Sequence, residues 1–261
     1  MYAFGRSTLK PVYKPISGII CPMRLKNKKA LVTGGGKGIG KAIANAYVKE
    51  GASVIICGRD EVTLKRSCQE IKKYGEIEYV KADISDKQDV GMIAIRVRDK
   101  WDRLDILVNN ASILGVRSTI LEYPEDVWDE VIQINLNAQF YVTKSLLPFL
   151  LKSENGSIIN ISSSVGRRGK ALWGAYAASK FGLEGLTQVL ADELKSSKVR
   201  VNSVNPGGTR TDMRAEAYPD EDPMTLPTPE EIVPVFLYLA SDESIGVTGK
   251  EFDARDWIGK A

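Results

Sequence analysis

Tyr176 and Lys180 stand four residues apart in "GAYAASK", a run of otherwise small side chains, and the 261-residue chain contains no histidine. Histidine is the one side chain whose unperturbed pKa lies near neutrality, so proton transfer here needs another group. Residues i and i+4 share one face of a helix, which lets the lysine sit beneath the tyrosine. A free tyrosine has a pKa near about 10, roughly three units too high for efficient proton transfer at pH 7. One cation at about 4 Å supplies about 4 kcal/mol at an effective dielectric of 20, which covers that gap. Burial alone would push the tyrosine the other way. A lone pair with this spacing arises easily by chance in a chain with ten tyrosines, so its surroundings must give it meaning.

A second chemically suggestive stretch is "KALVTGGGKGIGKAIA", which runs from strand to glycine turn to helix. Gly34, Gly38 and Gly40 allow a tight turn and a close backbone approach to a pyrophosphate, with the helix N-terminus offering free N–H groups. The spacing is GxxxGxG, not the commoner GxGxxG. The next strand ends "VIICGRD", so Gly58 occupies the place where an NAD enzyme carries an acid for the ribose hydroxyls. Arg59 follows it, and Lys37 lies inside the glycine loop. Two cations favour the 2′-phosphate of NADP. Asp60 is the remaining candidate acid, and it also suits the N-cap of the next helix.

The elements that must hold these groups alternate along the chain. Short apolar runs at 30–33, 53–57, 77–81, 106–109, 157–161 and 199–204 read as buried parallel strands, with a last one around 251–253. Amphipathic stretches near 38–50, 60–74, 86–101, 124–152, 174–196 and 229–241 read as helices. Strands alternating with helices imply an α/β doubly wound parallel sheet of about seven strands, helices on both faces, a Rossmann fold. Residues 207–229, with four prolines, read as a lid, a binding loop or a disordered loop. Residues 1–22 hold three basic side chains and no acidic ones; they read as a flexible arm, or Met23 is the start of the domain that runs from 23 to 261.

Composition narrows the class. Hydrophobic residues make up 43% and charged ones 26%, as in a soluble globular domain. The net charge of +3 is too small to argue for nucleic acid or membrane partners. Cys21, Cys57 and Cys68 form neither a disulfide framework nor a zinc site, and without histidine a metal centre is not expected. No apolar run approaches the roughly 20 residues that span a bilayer, so a cytoplasmic location is expected.

"TGGGKGIG" (33–40), "AD" (82–83), "NNAS" (109–112), Asn135 in "INLNA", "NISSS" (160–164), "YAASK" (176–180) and "NPGGTRT" (205–211) occur in this order. Together they resemble the single-domain short-chain dehydrogenase/reductases, over residues 27 to about 254. The resemblance implies that Asn135, Ser163, Tyr176 and Lys180 are the catalytic set. Of the three adjacent serines, the family's spacing of thirteen residues before the tyrosine selects Ser163. It also implies a cofactor set of Gly34, Lys37, Gly38, Ile39, Gly40, Arg59, Asp83, Ile84, Asn110, Ala111, Tyr176, Lys180, Pro206, Gly207, Thr209 and Thr211. Asp83 would receive the adenine amino group, and Pro206 to Thr211 would meet the nicotinamide carboxamide. Two departures stand out. Ser112 replaces the usual glycine of "NNAG", which would reposition the backbone, and "EFDARDW" replaces the usual glycine pair at the C-terminal wall of the substrate pocket.

The resemblance further implies hydride transfer between NADP(H) and a carbonyl/alcohol pair. Tyr176 would protonate the carbonyl oxygen, Ser163 would hold it, and Lys180 would also hold the ribose. Asn135 would anchor a water leading from Lys180 to solvent. A 3-oxoacyl thioester is the leading substrate, with Arg167 and Arg168 as attractors of an anionic, carrier-bound chain. The alternatives are an NAD-dependent alcohol, sugar or steroid dehydrogenase of the same family, and a non-catalytic NADP-sensing regulator. The family assembles through its two long helices, so a homotetramer or homodimer is expected.

Overall fold

β-branched runs alternate with amphipathic stretches, and in the computed structural model, which describes residues 23–260, they fold into seven parallel strands with helices on both faces. The arm expected over residues 1–22 lies outside the described residues. The strands are β1 (Lys29–Thr33), β2 (Ser53–Gly58), β3 (Ile77–Lys81), β4 (Ile106–Asn109), β5 (Gly156–Ile161), β6 (Val199–Asn205) and β7 (Glu251–Asp253). Their order across the sheet is β3-β2-β1-β4-β5-β6-β7. The helices are α1 (Gly38–Lys49), α2 (Glu61–Ile71), α3 (Lys87–Trp101), α4 (Glu125–Ile132), α5 (Ala138–Leu150), α6 (Gly174–Glu193), α7 (Asp212–Ala217) and α8 (Pro234–Ala240).

Successive strand residues point to opposite faces, and the core divides accordingly. Ala30, Val32, Val54 and Ile56 pack with α1, α2 and α8 through Ile43, Tyr47, Leu64 and Phe236. Leu31, Ile55 and Leu107 pack with α3, α5 and α6 through Ile93, Val97, Val142, Leu146 and Leu190. Both faces of the central strands are therefore apolar, which explains why these segments read as unbroken hydrophobic runs. The chain leaves β1 toward one edge and β4 starts toward the other. Between them lies the crevice where open α/β sheets bind ligands.

Three segments differ from the sequence reading. The helix expected over 124–152 is two helices, α4 and α5, joined by a π-helical turn at Gln133–Asn137. The final helix, expected near 229–241, is α8 alone and begins only at Pro234, whose missing N–H suits a first helical position. Residues 207–229 are folded: α7 and a short 3-10 turn at Pro223–Thr225 lie within them, closed by Arg210 donating to the carbonyls of Pro223 (2.9 Å) and Leu226 (3.1 Å). Among the described residues, no helix is long and apolar enough to cross a membrane.

Candidate active site

Tyr176 lies in the first turn of α6, and Lys180 follows one turn on, buried against the end of β5. The Lys180 ammonium donates to the Ile161 carbonyl at 2.8 Å and lies 5.5 Å from the centre of the Tyr176 ring. Gly166 makes that packing possible, because a Cβ there would come within 2.7 Å of Lys180 Cβ. Of the three serines, Ser163 is the one whose hydroxyl acts on the Tyr176 phenol, holding its pKa down, and it also accepts from Val165 N at 3.4 Å. Ser162 is buried and Ser164 is exposed. Asn135 is held by the π-helical turn, fully buried. Its Oδ1 accepts from Ile113 N at 2.8 Å, and its Nδ2 donates to Ile113 O (2.8 Å) and to Ser179 Oγ (3.3 Å). The four expected catalytic residues thus share one site.

A buried polar ladder fixes the helices that carry them. Asn109 Nδ2 donates to Thr143 Oγ1 of α5 (3.0 Å) and to Asn160 Oδ1 of β5 (2.8 Å), and Asn160 Nδ2 donates to Thr187 Oγ1 of α6 (2.8 Å). Such satisfied interior networks hold a single register between elements.

The electrostatics depart from expectation. Burial pushes the Tyr176 phenol up to about 12, and the neighbouring Ser163 hydroxyl only partly offsets this. Burial also pushes Lys180 down to about 8, against the opposing charge of Glu184. The four-residue spacing predicts a lysine that lowers the tyrosine. Instead the ammonium is engaged by a carbonyl, and desolvation disfavours the charged form of both groups.

At the nucleotide end, Gly34 and Gly38 adopt left-handed φ of +62° and +54°. A Cβ on Gly40 would sit 2.4 Å from Gly34 O and 2.5 Å from Asn110 Nδ2. Lys37 stands at the N-cap of α1 without capping it, and the first turn carries no acid, so its N–H groups face the crevice uncapped by side chains. This cradle fits the pyrophosphate of a dinucleotide. Thr211 Cγ2 lies 3.6 Å from where a Gly38 Cβ would be, so the segment after β6 folds over the glycine turn. In that segment Gly207 has a φ of +70°, and its N–H donates to Asn205 Oδ1 at 3.0 Å. Thr209 is buried, with its hydroxyl on the Pro206 carbonyl at 3.3 Å.

Several expected cofactor residues have other engagements. Asn110 donates to Thr33 O (2.7 Å) and Gly34 O (3.1 Å), so it pins the turn to β4. Ala111 N donates to Thr33 Oγ1 at 3.0 Å. Ile84 is buried in the core on the α3 and α5 face, and Ile39 packs, partly buried, against the core on the α1 face. Lys37 pairs with Asp212 at 2.8 Å, both exposed, and Arg59 approaches Asp83 at 4.0 Å. Asp83 also accepts from Ser85 N (2.9 Å) and Ser85 Oγ (2.7 Å). Asp60 caps α2 through the N–H groups of Val62 (3.1 Å) and Thr63 (3.3 Å).

The substrate side brings one correction. Ser112 does not have a positive φ. Arg167 is consumed by Glu184 (3.0 Å), Glu251 (3.2 Å) and Asp253 (3.1 Å), which removes it as an anion attractor, whereas Arg168 is exposed. Of the C-terminal segment, Arg255 donates to the Gly208 carbonyl, while Trp257 packs on Tyr238 at 4.7 Å in the core on the α1 and α8 face. Sequence reasoning missed a third apolar cluster at the tyrosine: Leu114, Val165, Trp173, Ala177 and Ala217, with Tyr176, Met213 and Tyr218 against it. Trp173 stands three residues before Tyr176, a helical spacing that signals contact. Nothing local signals Arg117, Ala217 or Tyr218.

Comparison with known proteins gives a consistent picture. The family model for short chain dehydrogenase matches residues 28–222. An uncharacterised oxidoreductase of Escherichia coli is 45% identical over 235 residues, covering 88% of this chain and 93% of that one. A 3-oxoacyl-[acyl-carrier-protein] reductase of Thermotoga maritima is 38% identical over 238 residues, covering 87% and 96%. A short chain dehydrogenase of Shigella flexneri, solved in complex with NADP, superposes with a TM-score of 0.86 at 45% identity, covering 89% and 99%.

Proposed function

The chain belongs to the short-chain dehydrogenase/reductase family, and from that premise we propose that residues 23–261 form one NADP-dependent domain that interconverts a carbonyl and an alcohol. The observation that carries this reading is the half-buried Tyr176 with Ser163 beside its phenol and the buried Lys180 ammonium 5.5 Å from its ring. NADP is supported by the uncapped glycine cradle, by Arg59 beyond the acid-free end of β2, and by the NADP bound to the Shigella relative. Asp60 is spent on capping α2, which weighs against a ribose acid and so against NAD. Gly34, Gly38 and Gly40 would admit the pyrophosphate, Asp83 the adenine, and Pro206 to Thr211 the carboxamide.

When bound, the nicotinamide supplies or accepts the hydride. Ser163 holds the substrate oxygen through its hydroxyl, and Tyr176 gives its phenolic proton to that oxygen. A phenol pushed up to about 12 keeps its proton at neutral pH, which is the form that donates in carbonyl reduction. Lys180 is held by the Ile161 carbonyl close enough to stabilise negative charge developing on Tyr176. Asn135, tied to Ser179 beside Lys180, positions that part of α6 and would anchor a water leading to solvent.

A 3-oxoacyl thioester remains the leading substrate on the strength of the Thermotoga relative. The exposed Phe140, Phe181 and Val189 on α5 and α6 support assembly into a homotetramer or homodimer through those helices. The free, buried thiols Cys57 and Cys68 suit a reducing compartment such as the cytoplasm. The decisive assay follows NADPH oxidation with a panel containing a 3-oxoacyl thioester, a ketosteroid, a quinone and an aryl aldehyde. At least one should be reduced well above the Tyr176→Phe background. If none is, the protein is not a reductase, and light scattering that gives a monomer mass sinks the assembly.

A further inference from the structure

Next to Tyr176, the substrate side of the site carries cations that no carboxylate neutralises. Trp173, buried, packs edge-on against Tyr176 at 5.6 Å between ring centroids and lies 5.9 Å from Tyr218. Arg117, from the loop after β4, places its guanidinium carbon 5.4 Å from the Trp173 ring and 4.9 Å from the Tyr218 ring. Lys170 Nζ donates to the Tyr218 hydroxyl at 3.0 Å. Arg214 also stacks on Tyr218, at 3.9 Å, but Glu221 matches its charge in a bidentate pair at 2.6 and 2.7 Å. Arg117 donates to a neutral group, the Ala217 carbonyl. Among the described residues, neither Arg117 nor Lys170 has a carboxylate within 4.0 Å, whereas Arg24, Arg96, Arg167 and Arg214 all do.

One further observation points to a ligand. The Trp173 Nε1 donor is buried without an acceptor among the described residues, an arrangement that native structures avoid unless something else completes it. The Tyr218 phenol is held below its usual range by the Lys170 hydrogen bond and by the charges of Lys170, Arg214 and Arg117.

We propose that Arg117 and Lys170 form the recognition site for a carboxylate on the substrate, whose body lies against Trp173 with an acceptor for its Nε1 while its carbonyl meets Tyr176. A guanidinium with one N–H on Ala217 retains further donors in a planar fork, the shape that a carboxylate matches. The assignment rests on the proposed carbonyl chemistry for its substrate, but the rim can be tested without turnover.

The first arm compares NADPH-dependent reduction of 4-carboxybenzaldehyde and benzaldehyde. The acid should have the higher kcat/KM by about tenfold or more, the range of one charge-assisted hydrogen bond. Arg117→Gln and Lys170→Gln should each erase most of that ratio, through KM and not kcat. Preference for the neutral aldehyde, or an equal loss on both substrates, overturns the assignment. The second arm measures binding of benzoate and benzamide to the NADP-saturated protein by calorimetry. Benzoate should bind at least about tenfold tighter, and Arg117→Gln should abolish the difference. Equal binding overturns the rim assignment even in an active reductase. If discrimination persists in a protein that reduces no carbonyl, the rim stands and the reductase reading falls.

Discussion

The crevice has a nucleotide side made of backbone and a substrate side made of side chains, and the two respond differently to sequence change. On the nucleotide side, Gly34, Gly38 and Gly40 leave no room or no allowed φ for another residue, and Asn110 closes the turn onto β4. On the substrate side, Trp173, Arg117, Lys170 and Tyr218 come from separate segments and meet through rings and cations. Backbone recognition suits a ligand with an invariant pyrophosphate. Side chains on loops can be exchanged without rebuilding the sheet, which is how one scaffold serves many substrates.

The largest effect is expected where the two sides meet. Tyr176→Phe removes the proton donor alone, so turnover should fall by at least about 10³-fold while NADPH affinity stays within about twofold. Comparable loss of cofactor binding, measured by fluorescence titration, would show that the two sides are not separable there.

Next comes the backbone side itself. Gly40→Ala must displace the Gly34 carbonyl from a 2.4 Å contact, which should cost about 1–3 kcal/mol of stability and weaken NADPH binding by about tenfold or more. Gly58 has φ in the ordinary range and would place a Cβ at 3.7 Å from Leu64, so Gly58→Asp should fold normally. An unaltered melting temperature in the first variant, or a large drop in the second, would break the distinction.

Lys180 probes the buried junction through pH. Its folded value of about 8 lies below the unfolded value of about 10.4, so between these values the unfolded chain binds more protons. Stability therefore rises with pH across that window, and below it the buried charge carries its full cost. Relative to Lys180→Met, the wild type should gain about 2–3 kcal/mol from pH 8 to 10.5 by denaturant unfolding. A flat difference would mean that the charge is better solvated than its burial implies.

The smallest effect concerns the exposed cations. Gly58→Asp with Arg59→Ala should reverse an NADPH preference of about tenfold in kcat/KM, because an acid replaces a phosphate partner. Lys37→Ala should matter less, about threefold or under, because Lys37 is exposed and already paired with Asp212. If the wild type prefers NADH, the assignment of Arg59 fails first.

The amino-acid sequence alone determined the strand and helix succession, the glycine turn and the four-residue spacing of Tyr176 and Lys180, while Asn135 and Ser163 were named by the family resemblance. Those features are local: hydrophobic runs, glycines that permit positive φ, and side chains one helical turn apart. Helix boundaries such as the π-helical turn at Gln133–Asn137 escaped, because one extra residue in a turn leaves the hydrophobic pattern nearly unchanged. Only the tertiary structure decided which charges are free. Arg167 and Arg117 look alike in the sequence, yet one is surrounded by Glu184, Glu251 and Asp253 and the other by aromatic rings. The tertiary structure also reversed the electrostatics of the Tyr176–Lys180 pair. Spacing puts the two groups together, but desolvation depends on everything packed around them, and that surrounding shell is drawn from β5, α4, α6 and the loops that only folding brings into contact.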